Sequence, residues 1–184
     1  MNKHRIWYIL PTVLLPYLVL CSLALIFLST NHPFFRSIMK TVFHSNALYL
    51  FAALLIFCIL AAILTIVFFF MGLSKGWNPL SMAKTAMIVK LIQVPAYIMI
   101  FILGVLLAIT VFTIPFSVGL FLVDCLTLFL TGLITSAAVI NAVRQSNFSI
   151  KETIWVIILQ MFFCADVIAS IVFYSMLKKA ENRN

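Results

Sequence analysis

The chain has 184 residues, of which 65% are hydrophobic and only 9% are charged, and its formal net charge is +8. A soluble domain of this length needs a charged surface that this composition cannot supply, so the solvent around most side chains must be lipid. The basic residues lie at the chain ends or between apolar runs, where they meet lipid headgroups, and no dense basic cluster with an aromatic surface predicts nucleic-acid binding.

Long apolar stretches predict an all-α, polytopic transmembrane helical bundle that forms a single domain over 1-184. A bilayer core about 30 Å thick needs about 20 apolar residues in a helix. Helices are required because unpaired backbone groups are costly in lipid, and the sequence lacks the short alternating strands of a membrane barrel. About five spans are predicted, at 6-28, 47-71, 91-112, 116-140 and 153-177.

The first loop, 29–46, predicts a short helix that lies along the membrane interface. Phe35, Met39 and Val42 recur at helical spacing with polar residues between them, and Pro33 suits the first helical turn. Such a segment is either an anchor in the headgroups or a lid over a cavity, and we favour the anchor.

Asparagine and proline residues predict the next boundaries. Asn78 can cap a helix that begins near Pro79 and enters the hydrocarbon near Lys90. Between the third and fourth spans, Pro115 predicts a tight helical hairpin because its ring disfavours helix at Ile114. The alternative for that region is a bent or re-entrant element.

Five spans would place the two chain ends on opposite sides of the membrane. The N-terminal side then carries seven basic residues and the other side five, the latter including Lys178, Lys179 and Arg183. Since cytoplasmic loops carry an excess of Lys and Arg, this margin favours a cytoplasmic N-terminus in a multi-pass protein of the cell membrane. Tyr174 is placed at the interface opposite the N-terminus, and a dual topology is the alternative.

Two acidic residues, Asp124 and Asp166, lie inside predicted spans. They are about 12 Å and about 16 Å deep from the same side, on consecutive antiparallel helices, so the two carboxyls can face one another. A buried carboxylate must be neutralised, paired or hydrated. No basic residue is expected at this depth, because Lys90 is placed nearer the opposite interface.

The two aspartates have a functional and a structural interpretation. A pair that shares a proton or closes on a cation would suit a coupled transporter. Alternatively, each aspartate is protonated and hydrogen-bonded to a neighbouring helix.

Further polar side chains share the faces of these helices. On the fourth span, a stripe of small and polar residues favours close helix packing or a narrow hydrated path. On the third, Pro95 frees the carbonyl near Leu91, which could bind an ion or substrate, as in broken transporter helices. Alternatively, Pro95 only bends the helix, and a neighbouring group satisfies that carbonyl. The candidate substrate- or ion-binding residues are Asp124, Asp166, Thr127, Thr131, Gln93, Tyr97, Gln160 and Ser170.

No arrangement of residues predicts catalysis or a cofactor. The aspartates carry neither the Gly-x-Gly-Asp nor the Tyr-Asp signature of intramembrane aspartyl chemistry, and no Ser/His pair, phosphate loop or HExxH motif occurs. The cysteines show no CxxC or Cys/His spacing that would indicate zinc. We therefore expect a protein that is not an enzyme and that has no metal.

Two stretches, Lys90-Leu91-Ile92-Gln93-Val94-Pro95-Ala96-Tyr97 and Asp166-Val167-Ile168-Ala169-Ser170 leading to Lys178-Lys179, resemble uncharacterised small polytopic membrane proteins of low-GC Gram-positive bacteria. That resemblance implies no activity, cofactor or binding residue. Size and composition also resemble the substrate-binding subunits of energy-coupling-factor vitamin transporters, which implies transport. Those subunits have six helices and an early Ala-x-x-x-Ala docking motif, whereas here the spacing Ala138 to Ala142 comes late.

Two functions fit these observations, and we favour the first. It is a small transporter or transport subunit with proton- or cation-responsive intramembrane aspartates. The second is a non-transporting membrane accessory or scaffold protein that packs with a partner subunit or with another copy of itself. The expected partners are the lipid bilayer and such a subunit.

Overall fold

The computed structural model of the protein describes residues 3–109, 111–145 and 148–182, and for residues 3–5 and 112 the backbone alone. This part of the chain forms seven α-helices, one short 3-10 helix and no strand, which confirms the predicted all-α class. The elements are α1 Lys3–Asn31, α2 Pro33–Phe43, α3 Ala47–Ser74, α4 Pro79–Ala108, the 3-10 helix Val111–Thr113, α5 Ile114–Arg144, α6 Ile150–Leu159 and α7 Ala165–Glu181.

Four of these helices, α1, α3, α4 and α5, are long and apolar enough to cross a membrane. The shortest apolar stretch has 26 residues, and at about 1.5 Å per residue it is about 39 Å long, which exceeds a bilayer core of about 30 Å. Large apolar side chains such as Phe101 and Phe129 remain exposed on the outer surfaces, as expected when hydrocarbon surrounds the bundle.

The four long helices run alternately between two ends of the bundle. Ile9 of α1, Phe68 of α3, Met82 of α4 and Val139 of α5 pack in one cluster, at what we name the first end. The opposite halves of α1, α4 and α5 pack together at the second end. α1 and α4 therefore run from the first end to the second, and α3 and α5 return.

The predicted fifth span, 153–177, is wrong as a continuous helix. α6 ends at Leu159, the chain turns through 160–164, and α7 begins at Ala165. Leu177 and Glu181 of α7 line a groove with Asn78 and Gln145, which lie at the first end, where α6 also begins. α6 and α7 thus form a re-entrant hairpin that enters the bundle and returns to the same end, and Tyr174 packs there rather than at the second end.

In the turn of the re-entrant hairpin, several backbone N–H groups donate hydrogen bonds to carbonyls of the same segment. The N–H groups of Gln160, Met161 and Phe162 each donate to the carbonyl three residues earlier at 3.2 Å, and Asp166 N–H donates to Phe162 at 3.0 Å. Such bonds matter at membrane depth, where no water is present to bond the backbone. Cys164 then reverses the chain with φ +66°.

The helix predicted in the first loop and the helix start predicted at Asn78 agree with the structure. α2 occupies Pro33–Phe43, and its Arg36 donates to the carbonyl of Thr30 at the end of α1 at 2.7 Å. Asn78 Oδ1 caps α4 by accepting from Leu80 N–H at 2.8 Å. The hairpin between α4 and α5 is also confirmed, although its turn precedes Pro115, which lies in the first turn of α5.

Candidate functional site

A buried ion pair lies where the re-entrant hairpin meets α4. Lys90 Nζ is 2.8 Å from Asp166 Oδ2, and the two side chains are 0% and 2% exposed. Lys90 also donates to Gln160 Oε1, so one ammonium joins the end of α6 to the start of α7. Lys90 is about 17 Å along α4 from Pro79 at about 1.5 Å per residue, which places the pair well inside the bundle.

The prediction that no basic residue lies at the depth of the aspartates is therefore wrong. The sequence places Lys90 at the interface because the long uncharged run begins only after it, yet α4 starts eleven residues earlier. A usable signal was the spacing of Lys90, Gln93 and Tyr97, which puts three polar side chains on one face of a helix.

Asp166 is placed to hold a negative charge. It lies in the first turn of α7, where the partial positive charge of a helix N-terminus stabilises an anion. The ammonium of Lys90 compensates the same carboxylate directly. Removing two ions from water costs several kcal/mol for each. A buried pair is therefore stable only while each charge is compensated by the other.

The polar face of α4 continues beyond the ion pair. Gln93 is buried, and its Nε2 donates to the Thr12 carbonyl of α1 at 2.7 Å. Pro16, four residues after Thr12, has no N–H to offer that carbonyl, so Gln93 supplies the missing donor. Tyr97 donates in turn to Gln93 Oε1 at 3.1 Å.

Tyr97 connects this face to the tip of the re-entrant hairpin. Its ring packs edge-on against Phe163 with the ring centroids 6.4 Å apart. Its hydroxyl also lies close to Thr131 of α5 and interacts electrostatically with both Asp166 and Asp124. Tyr97 therefore lies near both acids.

Of the two interpretations of Pro95, the structure favours a backbone carbonyl that a neighbouring helix satisfies over one that is left free for a ligand. α4 continues through Pro95 without interruption. Tyr17 of α1 donates to the Ile92 carbonyl next to the predicted Leu91 position, so a neighbouring helix supplies a donor there. The interrupted helix of this fold is the α6–α7 unit instead.

Asp124 does not join the ion pair. It is 8% exposed, and its Oδ1 is buried without a hydrogen-bond partner among the described residues. It lines a groove of about 210 Å³ between α4 and α5, whose described lining does not include Asp166. The two carboxyls therefore do not form a mutual pair, since Asp166 is bonded to Lys90.

The predicted small and polar stripe of α5 faces inward, with Thr127, Thr131 and Thr135 all buried. The hydroxyls of Thr127 and Thr135 donate to carbonyls of α5 itself, rather than to another helix. The stripe thus serves mainly close packing. Beside it, a Cβ on Gly132 would lie 3.4 Å from Gln160 Cβ, so the glycine lets the re-entrant hairpin approach α5.

The structure brings most of the predicted site residues into one region around Lys90, the residue that the sequence interpretation missed. Within the described ranges, no group of three His, Cys, Asp or Glu side chains is placed to hold a metal ion. Comparison of the chain with protein-family models, curated proteins and solved structures finds no match. The residues gathered around Lys90 are Gln93, Tyr97, Thr131, Gln160, Asp166 and Ser170, while Thr127 and Asp124 lie apart.

Proposed function

We propose that the protein is a small transporter or transport subunit in which the Lys90–Asp166 pair responds to a proton or a cation. The observation that carries this proposal is the buried ion pair at the turn of the re-entrant hairpin. Ionisable groups inside a membrane are expensive, and they commonly mark proton relays and ion paths. Helix ends that meet inside a bundle are also where transporters hold ions.

The ion pair gives the hairpin two electrostatic states. While Asp166 is charged, Lys90 ties the start of α7 and the end of α6 to α4. A proton on Asp166, or a cation in place of the ammonium, removes the attraction and leaves Lys90 with Gln160 alone. Because an unmatched buried ion is costly, the hairpin must then shift or water must enter.

Proton movement into vesicles tests this proposal. We expect liposomes that contain the protein and an internal pH-sensitive dye to acidify under a valinomycin potential about tenfold faster than empty ones, a rate change worth about 1.4 kcal/mol. The double variant Lys90→Gln/Asp166→Asn removes both charges together and leaves no lone ion, so it should fold yet conduct like empty liposomes. The matched control is Glu181→Gln, which removes an exposed carboxylate from the end of α7.

Two results would contradict the transport proposal. One is a double variant that admits protons as fast as the wild type. The other is a wild-type chain that moves no proton, sodium or potassium ion under any imposed gradient.

We also propose a multi-pass protein of the cytoplasmic membrane with both chain ends in the cytoplasm. Because α7 returns to the first end, Lys178 and Lys179 join the basic residues near the N-terminus, while Arg183 lies outside the described residues. Cytoplasmic ends of spans carry the excess of Lys and Arg. The first end holds Lys3, Arg5, Lys75, Lys84, Arg144, Lys151, Lys178 and Lys179, against Arg36 and Lys40 at the second.

A non-transporting accessory or scaffold protein is the second candidate function. The observation that favours it is the tip of the re-entrant hairpin, where Met161 is 64% and Phe162 is 59% exposed. Irregular backbone at membrane depth is tolerated where protein covers it, which a partner subunit or a second copy would do. The ion pair is then structural, and the double variant should leave all ion fluxes unchanged.

A further inference from the structure

The groove between α4 and α5 combines apolar walls with the carboxyl group of Asp124. Ile100, Phe101 and Gly104 line it from α4, and Leu120 and Phe121 from α5. The hydroxyl of Ser117 also lines the groove, but it already donates to the Gly104 carbonyl at 2.8 Å. Asp124 Oδ1, in contrast, has no partner among the described residues.

The groove opens toward the surface that faces lipid. Phe101 and Phe121 at its edges are 71% and 60% exposed. Asp124 lies about 15 Å along α5 from Ile114 at about 1.5 Å per residue, which is deeper than a lipid headgroup sits. A ligand of this groove therefore enters from the hydrocarbon.

The chemistry of the walls selects the kind of cation. Hard metal ions take six to eight oxygen ligands, and one carboxylate among aliphatic and aromatic side chains cannot replace their hydration shell. An ammonium on an alkyl chain needs one counter-ion for its charge and apolar contacts for its body. Phenylalanine faces also attract such cations.

We propose that this groove is a binding site for an amphiphilic alkylammonium cation, with Asp124 as its counter-ion. At roughly 30 Å³ for a water-sized group, about 210 Å³ accommodates the ammonium and its nearest carbons. The rest of the alkyl chain extends into lipid. The site uses residues other than the Lys90–Asp166 pair, so it does not require the protein to be a transporter.

Carbodiimide labelling tests the site. Dicyclohexylcarbodiimide partitions into apolar phases and adds a protonated carboxyl across one C=N bond, so that a C–O bond forms, the proton moves to nitrogen and no group leaves. Mass spectrometry of the detergent-solubilised protein should find label on Asp124 and not on the salt-bridged Asp166. Hexyltrimethylammonium should slow the labelling of Asp124 at least about threefold, whereas its uncharged isostere 2,2-dimethyloctane should not.

Two glycine variants test whether the reagent reaches Asp124 through the groove. Gly104 lines the groove, and a Cβ there would come no closer than 3.9 Å to Ser117 Oγ, so Gly104→Leu should place its side chain in the groove and suppress the labelling. The matched control is Gly119→Leu on the same hairpin, where a Cβ meets nothing within 4 Å and the labelling should persist.

Several outcomes would overturn the proposal. They are no preferential labelling of Asp124, equal protection by the cation and its isostere, no protection by the cation, or labelling of Gly104→Leu at the wild-type rate. None of these measurements involves ion flux, so they leave the transport proposal to its own test.

Discussion

Lys90 and Asp166 each compensate the charge of the other inside the bundle. Taking away one member of a buried pair leaves an uncompensated ion, which typically costs about 3–5 kcal/mol, whereas removing both members is often close to neutral. We therefore expect Asp166→Asn to lower the free energy of unfolding by about 3 kcal/mol or more. The double variant Lys90→Gln/Asp166→Asn should lose less than the single variant.

Unfolding in mixed detergent micelles, followed by circular dichroism, measures this difference. Glu181→Gln is again the matched removal of a carboxylate, and its exposed position predicts a change within about 0.5 kcal/mol. A double variant as unstable as Asp166→Asn would show that the pair does not couple the two residues.

At the scale of single residues, the buried acids and amides can be predicted from the sequence, but the cation that binds them cannot. Asp166, Gln160 and Gln93 are conspicuous because each interrupts an apolar run. Lys90 is not, because a charge at the edge of such a run is ordinarily an interfacial residue. Lys90 becomes an interior residue because α7 packs against α4.

Among the helices, the re-entrant hairpin depends on an unusual backbone conformation at its turn. Cys164 has φ +66° and ψ −41°, a backbone conformation that a residue with a Cβ adopts only under strain. Replacing it with glycine, which has no such restriction, should raise the free energy of unfolding by about 1 kcal/mol. The same micelle unfolding experiment measures the gain.

Cys21→Gly provides the comparison for this change. Cys21 is also exposed, but it lies within α1, where glycine lowers helix stability by about 0.5–1 kcal/mol. If both substitutions destabilised the protein equally, the turn at Cys164 would not be strained.

The element boundaries show what apolar runs can and cannot predict. α2 and the start of α4 follow from Pro33 and Asn78, which are local signals. The turn through 160–164 has no glycine or proline, and Met161-Phe162-Phe163 continues the apolar run. Hydropathy alone therefore predicts a span, because the Lys90 contact that accompanies the reversal is distant in sequence.

For the whole molecule, the proposed topology puts the start of α1 and the end of α7 on one side of the membrane, because both lie at the first end. Single cysteines, introduced after Cys21, Cys58, Cys125 and Cys164 are replaced by serine, test this arrangement at three exposed positions: Thr41→Cys on α2, Ser74→Cys at the end of α3, and Asn182→Cys after α7. A membrane-impermeant maleimide should label Thr41→Cys in intact cells. It should label Ser74→Cys and Asn182→Cys only after the cells are opened, because both lie at the first end, which we propose to be cytoplasmic.

The variants also separate this topology from five crossings. With a fifth span, Asn182→Cys would react together with Thr41→Cys, and the charge asymmetry between the two ends would largely disappear. Reaction of Ser74→Cys in intact cells would instead reverse the proposed orientation.

The position of Lys90 has a consequence for how the chain is assembled. The ribosome completes α4 well before α7, so Lys90 is made before Asp166, the residue that forms an ion pair with it. The pair can form only after α7 has packed against α4. A chain truncated before α7 should therefore keep Lys90 without the carboxylate that compensates its charge.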